Sequence, residues 1–446
     1  MNFEQSKQYI DGRLRFGWKF GNERLVALLD QIGNPHQSLK VFHVAGTKGK
    51  GSTSAFLASI LRASGQRTGL YLSPYVFDLR ERIQIDGQNI PEDDFARLLS
   101  HMQPAVDSFD DSEFGPITEF ELKTALGFAY FADQNVDYAV IEVGLGGRLD
   151  ATNVVDNPIS TVITNIGYDH VEILGHTLPE IAREKAGIIK RNAPCVTGVP
   201  QGTPEFAEIE KIAAAKDSIL TMVAEQSENP NAPVSYRSED DRTVSLWTRH
   251  RALEHVKLGM AGQFQHGNAV LAAAAVDAAK ESLPFCVTDE MMRSALETTT
   301  LPGRLQTMLS TPTVVVDVAH NDMSATALKQ ALVNQFNALE RRLILVVGMS
   351  HNHAPETFLE PLAKLNPAVL IACQPLIRSR NSAEVAASGR ELGIRDVREV
   401  KSTVTDAAAL ALSLAQAEDL ICLTGSFYTV GEVTPQMWHT LAEESK

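Results

Sequence analysis

Val44-Ala-Gly-Thr-Lys-Gly-Lys-Gly-Ser52 is the stretch on which the reading of this chain turns. It follows a short apolar run, Val41-Phe-His-Val44, that reads as a strand. After it, Phe56, Leu57, Ile60 and Leu61 recur on one helical face until Gly65, a stop signal. Between a strand and a helix, small residues let backbone N–H groups wrap a phosphate, and the helix N-terminus adds its positive end. The cradle would be Gly46, Thr47, Lys48, Gly49, Lys50, Gly51 and Ser52, with Lys50 reaching the β- and γ-phosphates and the Ser52 hydroxyl on Mg²⁺. The loop departs from the usual pattern twice: Val44 stands where a first glycine is common, and Gly51 separates Lys50 from the hydroxyl. The bland alternative is a Gly-rich turn with a solvated lysine. Three glycines around two lysines in a strand-to-helix setting favour the phosphate.

Outward from the loop, strand-like and helical segments alternate. Leu70–Leu72, Tyr138–Val143 and Thr161–Ile166 read as buried strands, and Glu119 to Asp133 has helical spacing. Thr177-Leu-Pro-Glu180 is a capping-box start that predicts a helix from Leu178 to Lys190. Between about Glu225 and Lys257, Asn, Pro, Ser and Asp accumulate around short alternating pieces that read as edge hairpins. An Ala-rich helix is expected from Asn268 to Lys280; Leu301-Pro-Gly-Arg304 then breaks the pattern. Beyond it lie further strands at Val314–Asp317, Leu343–Val347, Val369–Ala372 and Leu420–Leu423, with helices over Ser324–Phe336 and Thr405–Gln416. Such alternation implies mostly parallel sheets. The expected fold is α/β: a P-loop-type ATPase domain with a parallel sheet over residues 1–300, and a smaller Rossmann-like α/β domain over 301–446.

Composition narrows the partners. Of 446 residues, 40 are Lys or Arg and 55 Asp or Glu, a formal net charge of −15, which disfavours nucleic acid as a bulk partner. There is no 18-residue apolar run and no basic-then-apolar N-terminus, so neither a membrane span nor a signal peptide is expected. Cys195, Cys286, Cys373 and Cys422 are too widely spaced for a zinc knuckle or a disulfide framework. A cytoplasmic enzyme, expected to be a monomer, is the reading.

The loop, together with Leu72-Ser-Pro74, Glu142-Val-Gly-Leu-Gly-Gly-Arg-Leu-Asp-Ala-Thr-Asn153, Asn165-Ile-Gly-Tyr-Asp-His170, Glu184-Lys-Ala-Gly187, Leu301–Arg304, Asp317-Val-Ala-His-Asn321 and Gly425-Ser-Phe-Tyr428, resembles the folylpolyglutamate synthase/dihydrofolate synthase family of the Mur-ligase superfamily. The resemblance runs from about residue 15 to about 432. It implies that ATP phosphorylates a carboxylate and that the amine of L-glutamate attacks the acyl phosphate, with folate or dihydropteroate as acceptor. Positioning and electrostatic stabilisation dominate such chemistry.

Roles follow residue by residue. Ser73, Glu142 and His170 fall at carboxyl ends of strands, where ligands of α/β sheets bind. Glu142 is the natural Mg²⁺ ligand. On bare chemistry His170 reads as a loop or core histidine; the resemblance makes Ser73, Glu142 and His170 metal ligands beside Ser52. Lys185 reads alone as a solvated helix lysine, and by resemblance as a carbamylated one that joins Lys50, Asp317 and His320 in catalysis. Asn268, Arg304 and Asp317 resemble ATP contacts, with an N-cap the alternative for Asn268 and a hinge salt bridge for Arg304. Arg304, His320 and Ser426 would hold the incoming glutamate, the latter two having loop capping as the alternative. On the acceptor side the resemblance assigns Thr118, Glu119, Phe120 and Glu121, with Gly147, Arg148 and Leu149 as a second contact; Phe120 reads equally as core.

Three departures from the family pattern stand out: the loose fit of Phe16–Arg24, Asp322 in place of a common Pro, and Ser350-His-Asn-His353 in place of an acidic-lysine run. The alternatives are a Mur-type amino-acid ligase of cell-wall precursors, for whose N-terminal domain a loop at residue 46 leaves no room, and a nucleotide-regulated binding protein, against which the intact Lys50, Glu142, His170, Lys185 and Arg304 argue.

Overall fold

The computed structural model describes residues 1–17, 21–351 and 353–444. Part of the Phe16–Arg24 segment (18–20) and one position of the 350–353 run (352) therefore lie outside the described residues.

Two sheets organise the chain. The first has 11 strands, in the order Ala252–Lys257, Thr243–Trp247, Val234–Ser238, Leu220–Glu225, Cys195–Thr197, Ser160–Ile163, Val41–Ala45, Tyr138–Glu142, Thr68–Tyr71, Ile83–Ile85 and Gln88–Asn89. From Val234–Ser238 to Thr68–Tyr71 the pairing is parallel; the hairpins at both edges are antiparallel. Burial on both faces explains the continuous apolar runs of the central strands. On one face, helices Lys50–Ala63 and Phe264–Ala278 pack with Phe42, Val140 and Val162; on the other, helices Glu92–Asp107 and Glu119–Asp133 pack with Val41, Ala139 and Ile141.

The second sheet has 6 strands, in the order Gln306–Ser310, Thr313–Val316, Leu420–Thr424, Leu343–Gly348, Val369–Cys373 and Val397–Glu399, all parallel but the first. It too is covered on both faces, with Leu345 and Leu370 on one side and Ile344 and Ile421 on the other. Among the described residues no helix is long and apolar enough to cross a membrane.

Several expected boundaries move. The Ala-rich helix begins at Phe264, not Asn268, so Asn268 is no N-cap; Gly267 one residue earlier masked the true start. The helix from Leu178 ends at Ala186 rather than Lys190, because Gly187 turns the chain against Arg148, where a Cβ would lie 2.4 Å from that residue's own Cβ. The strand expected to reach Ile166 ends at Ile163, since the residues beyond it leave the sheet to brace the Gly-rich loop.

The sheets meet edge on. A Cβ on Gly431 would sit 2.1 Å from the Val76 carbonyl oxygen, and one on Gly303 would touch both Val318 and Val76. Asp241, at the tip of an edge hairpin of the first sheet, accepts hydrogen bonds from Asn334 Nδ2 at 2.6 Å and Gln335 Nε2 at 2.7 Å on helix Asp322–Phe336.

Candidate active site

The Gly-rich loop is braced by the segment that follows strand Ser160–Ile163. Gly46 has φ +145°, a region only glycine enters freely, and a Cβ there would lie 1.8 Å from Thr164 Oγ1. That hydroxyl donates to the Lys48 carbonyl at 2.6 Å. Asn165 accepts from the Thr47 N–H at 2.9 Å through its backbone, and from the Lys48 N–H at 2.8 Å through its side chain. Asn268 lies against the start of helix Lys50–Ala63: a Cβ on Gly49 would be 2.2 Å from its Oδ1.

Two side-chain amines converge inside this cradle. Lys50 Nζ donates to the Gly46 carbonyl at 3.1 Å, and Lys185 Nζ donates to the same oxygen at 2.9 Å. Burial, with Lys50 beside it, pushes the Lys185 amine down to about 7. Burial also lowers the Lys50 ammonium, with Glu142 opposing the shift.

The glycines of the 144–147 turn allow the helix bearing Lys185 to approach. A Cβ on Gly147 would lie 2.8 Å from the Lys185 carbonyl oxygen. The Arg148 N–H donates to the Glu184 carbonyl at 2.7 Å, and its guanidinium pairs with the Glu184 carboxylate at 2.9 Å. Asp150, which sequence reasoning left unassigned, accepts from Leu145 N–H (2.8 Å), Thr152 N–H (2.9 Å) and the Thr152 hydroxyl (2.6 Å) and so fixes the turn. The contacts of Gly147 and Arg148 are thus made to the Lys185 helix, with Leu149 half-buried beside them.

Glu142 ends its strand buried beneath the helix N-terminus: a Cβ on Gly51 would be 3.4 Å from its Oε2. That oxygen accepts from the Ser73 N–H at 2.8 Å, and burial raises the carboxyl's pKa against the pull of Lys50 and Arg304. A desolvated carboxylate beside the phosphate loop suits a hard divalent cation, which would relieve its burial. Ser52 is buried in the same helix, while the His170 side chain is 47% exposed and its Nε2 lies 3.7 Å from Asp169 Oδ1. Among the described residues no three His, Cys, Asp or Glu side chains form a ready-made metal cluster. The donors fit Mg²⁺ held jointly with a nucleotide rather than in an all-protein cage.

Across the cleft, the second sheet presents its own carboxyl edge. Asp317 is buried and accepts from the Leu305 N–H at 3.0 Å and the Ala319 N–H at 2.8 Å. Arg304 lies 5.1 Å over the Phe427 ring, within the field of Asp317 and Glu142. His320 donates from Nδ1 to the Val318 carbonyl at 2.9 Å, which leaves Nε2 to accept from Lys48 Nζ at 3.1 Å. Burial and Lys48 hold that imidazole down at about 3, so it is neutral. Lys48 also pairs with Asp169 at 2.9 Å, a partner the sequence reading missed. Ser426 caps the helix Phe427–Gly431, its Oγ accepting from the Thr429 N–H at 3.0 Å.

On the acceptor side the expectations divide. Thr118 and Glu121 form the capping box of helix Glu119–Asp133, and Glu121 also takes Arg24 in a double hydrogen bond of 2.9 and 2.7 Å. Glu119 is paired with Lys123. Their polar atoms are therefore occupied within the protein, while Phe120 faces the strand end: a Cβ on Gly144 would lie 2.2 Å from its ring.

Comparison with known proteins agrees with this geometry. Residues 44–276 match the Mur ligase middle domain and residues 303–427 the Mur ligase glutamate ligase domain. The chain is 33% identical over 439 residues to the dihydrofolate synthase/folylpolyglutamate synthase of Bacillus subtilis, covering 98% of this chain and 99% of that protein. Among solved structures, Mycobacterium tuberculosis folylpolyglutamate synthase complexed with ADP and AMPPCP superposes with a TM-score of 0.87 at 30% identity, covering 98% of each chain. Escherichia coli FolC in complex with DHPP and ADP gives a TM-score of 0.82 at 29% identity over 97% of each. With the phosphate loop, the buried Glu142 and the two facing sheet edges in place, the chain belongs to the folylpolyglutamate synthase/dihydrofolate synthase family of ATP-dependent glutamate ligases.

Proposed function

We propose that this enzyme joins L-glutamate to the carboxylate of dihydropteroate and of folates, through an acyl phosphate made from ATP. The observation that carries the reading is the facing of Lys48 and His320 at 3.1 Å, which brings the phosphate loop of one sheet up to the edge of the other. In this reading residues 1–300 bind nucleotide and acceptor, and 301–446 bring glutamate. Gly46–Ser52 cradle the phosphates, and Lys50 turns from the Gly46 carbonyl onto the transferring phosphoryl group. Bound Mg²⁺, held by Glu142 with Ser52, Ser73 and His170, would supply a counter-charge for the phosphate oxygens.

Asn268, Arg304 and Asp317 orient the nucleotide. Neutral His320, with Arg304 and Ser426, holds the incoming glutamate. Lys185, with its pKa pushed down to about 7, offers a substantial neutral fraction at neutral pH and is the amine that CO₂ can carbamylate, turning a repelling cation into an anion beside the metal site. The enzyme works as a monomer.

The test is phosphate release from ATP, run with dihydropteroate and with tetrahydrofolate, each with and without glutamate. Release that needs acceptor and glutamate together is expected with both acceptors. Release indifferent to both substrates would mark a nucleotide switch and end this reading.

A further inference from the structure

Arg82 ends the short turn Leu79–Arg82, and its carbonyl accepts from the Leu72 N–H at 2.9 Å, one residue before Ser73. The side chain is 7% exposed, and its guanidinium carbon lies 5.8 Å from the centre of both the Tyr75 and the Phe120 rings. Its Nε and Nη1 have no hydrogen-bond partner, and Arg82 makes no ion pair among the described residues. Of the carboxylates nearby, Glu121 is taken by Arg24 and Glu119 by Lys123. Lys123, a second buried cation, feels Arg82 and is lowered to about 8 by burial first and Arg82 next. The Tyr71 hydroxyl takes part of its hydrogen bonding, and a desolvated guanidinium with two unused donors is costly unless something anionic completes it.

The position says which anion. The reacting carboxylate of the acceptor must lie at Lys50 and Glu142, and the field of Arg82 reaches Glu142 only after those of Lys50 and Arg304. Arg82 is held beside Leu72, the residue before the Ser73 whose N–H bonds Glu142, and it stands against two aromatic rings. An acceptor that already ends in glutamate has two carboxylates, and only one can become the acyl phosphate. We propose that Arg82 is a specificity-determining residue that takes the non-reacting carboxylate of a glutamate-terminated acceptor in a charge-assisted hydrogen bond from an unused guanidinium donor, leaving the other free for phosphorylation. This rests on the acceptor reading above.

The test compares tetrahydropteroate with tetrahydrofolate, which differ by the glutamyl group, in calorimetric binding to wild type, Arg82→Met and Arg82→Lys. Arg82→Met is expected to weaken tetrahydrofolate about tenfold more than tetrahydropteroate, as loss of a charge-assisted pair does. Arg82→Lys, which keeps the charge but not the guanidinium's donor geometry, should fall between. Without ligand the Met variant should melt no lower than wild type, because it removes an unpaired buried charge. Equal weakening of both acceptors, or a lower melting temperature with no difference between them, would make Arg82 a packing residue. Wild type that binds neither acceptor would overturn the proposed function itself.

Discussion

At Gly46 a single carbonyl oxygen accepts from both Lys50 and Lys185, and the Lys50 ammonium adds to the cost of charging Lys185. Lys50→Ala should keep the fold and lose turnover by roughly 10²–10³, the scale for deleting one preorganised charge contact; circular dichroism and steady-state rates check both halves. For Lys185 the sign follows from its pKa of about 7 in the folded chain, against about 10.4 for an ordinary lysine. Below the lower value both states carry the proton. Between the two only the unfolded state does, so the burial penalty shrinks and stability rises with pH across that window. The neutral amine also becomes available as pH rises through about 7. Activity in bicarbonate buffer should therefore climb over the same range, and Lys185→Ala should lose activity that acetate partly restores. An intact mass lacking an added CO₂ in the active enzyme would refute the modification.

Among the elements, the Gly-rich loop is the least tolerant of change. Gly46→Ala would drive a Cβ into Thr164 at a φ reserved for glycine, a strain of about 1–3 kcal/mol; ATP binding should fall more than tenfold in a titration while the sheet persists. This loop was legible in sequence because its signals are local: a strand, three glycines, a helix. The capping boxes at Thr118 and Thr177 were legible for the same reason, although only the second was read as one. What stayed hidden depends on partners far along the chain. Glu121 is held by Arg24, which is 97 residues away, and Thr47 and Lys48 by Asn165, more than a hundred away. No spacing rule announces such pairs. The antiparallel edge strand Gln306–Ser310 and the helix Glu92–Asp107 were likewise passed over, the first for its polar ends and the second for the proline it contains.

At the scale of the whole molecule, the proposed function needs both sheet edges together. Asp241→Ala removes two hydrogen bonds, one exposed and one partly buried, that join the hairpin tip to helix Asp322–Phe336, each worth about 0.5–1.5 kcal/mol. The variant should scatter with a larger radius of gyration and show a raised KM for glutamate, with ATP affinity nearly unaltered; an unchanged radius and KM would remove Asp241 from the docking surface. Arg304→Ala should lower turnover more than it lowers ATP binding, since the charges of Asp317 and Glu142 act on it from the two sides of the cleft. The contact of Gly431 with the Val76 carbonyl carries a further consequence. Val76 shares its short loop with Ser73 and Tyr75, and Glu81 ties that loop down by accepting from the N–H groups of Val76, Phe77 and Asp78. A tethered loop of this kind would transmit the arrival of the second domain directly to Ser73, proposed above as a metal ligand. Phosphate transfer would then be gated by docking: while the domains stand apart, bound ATP is idle rather than squandered on water.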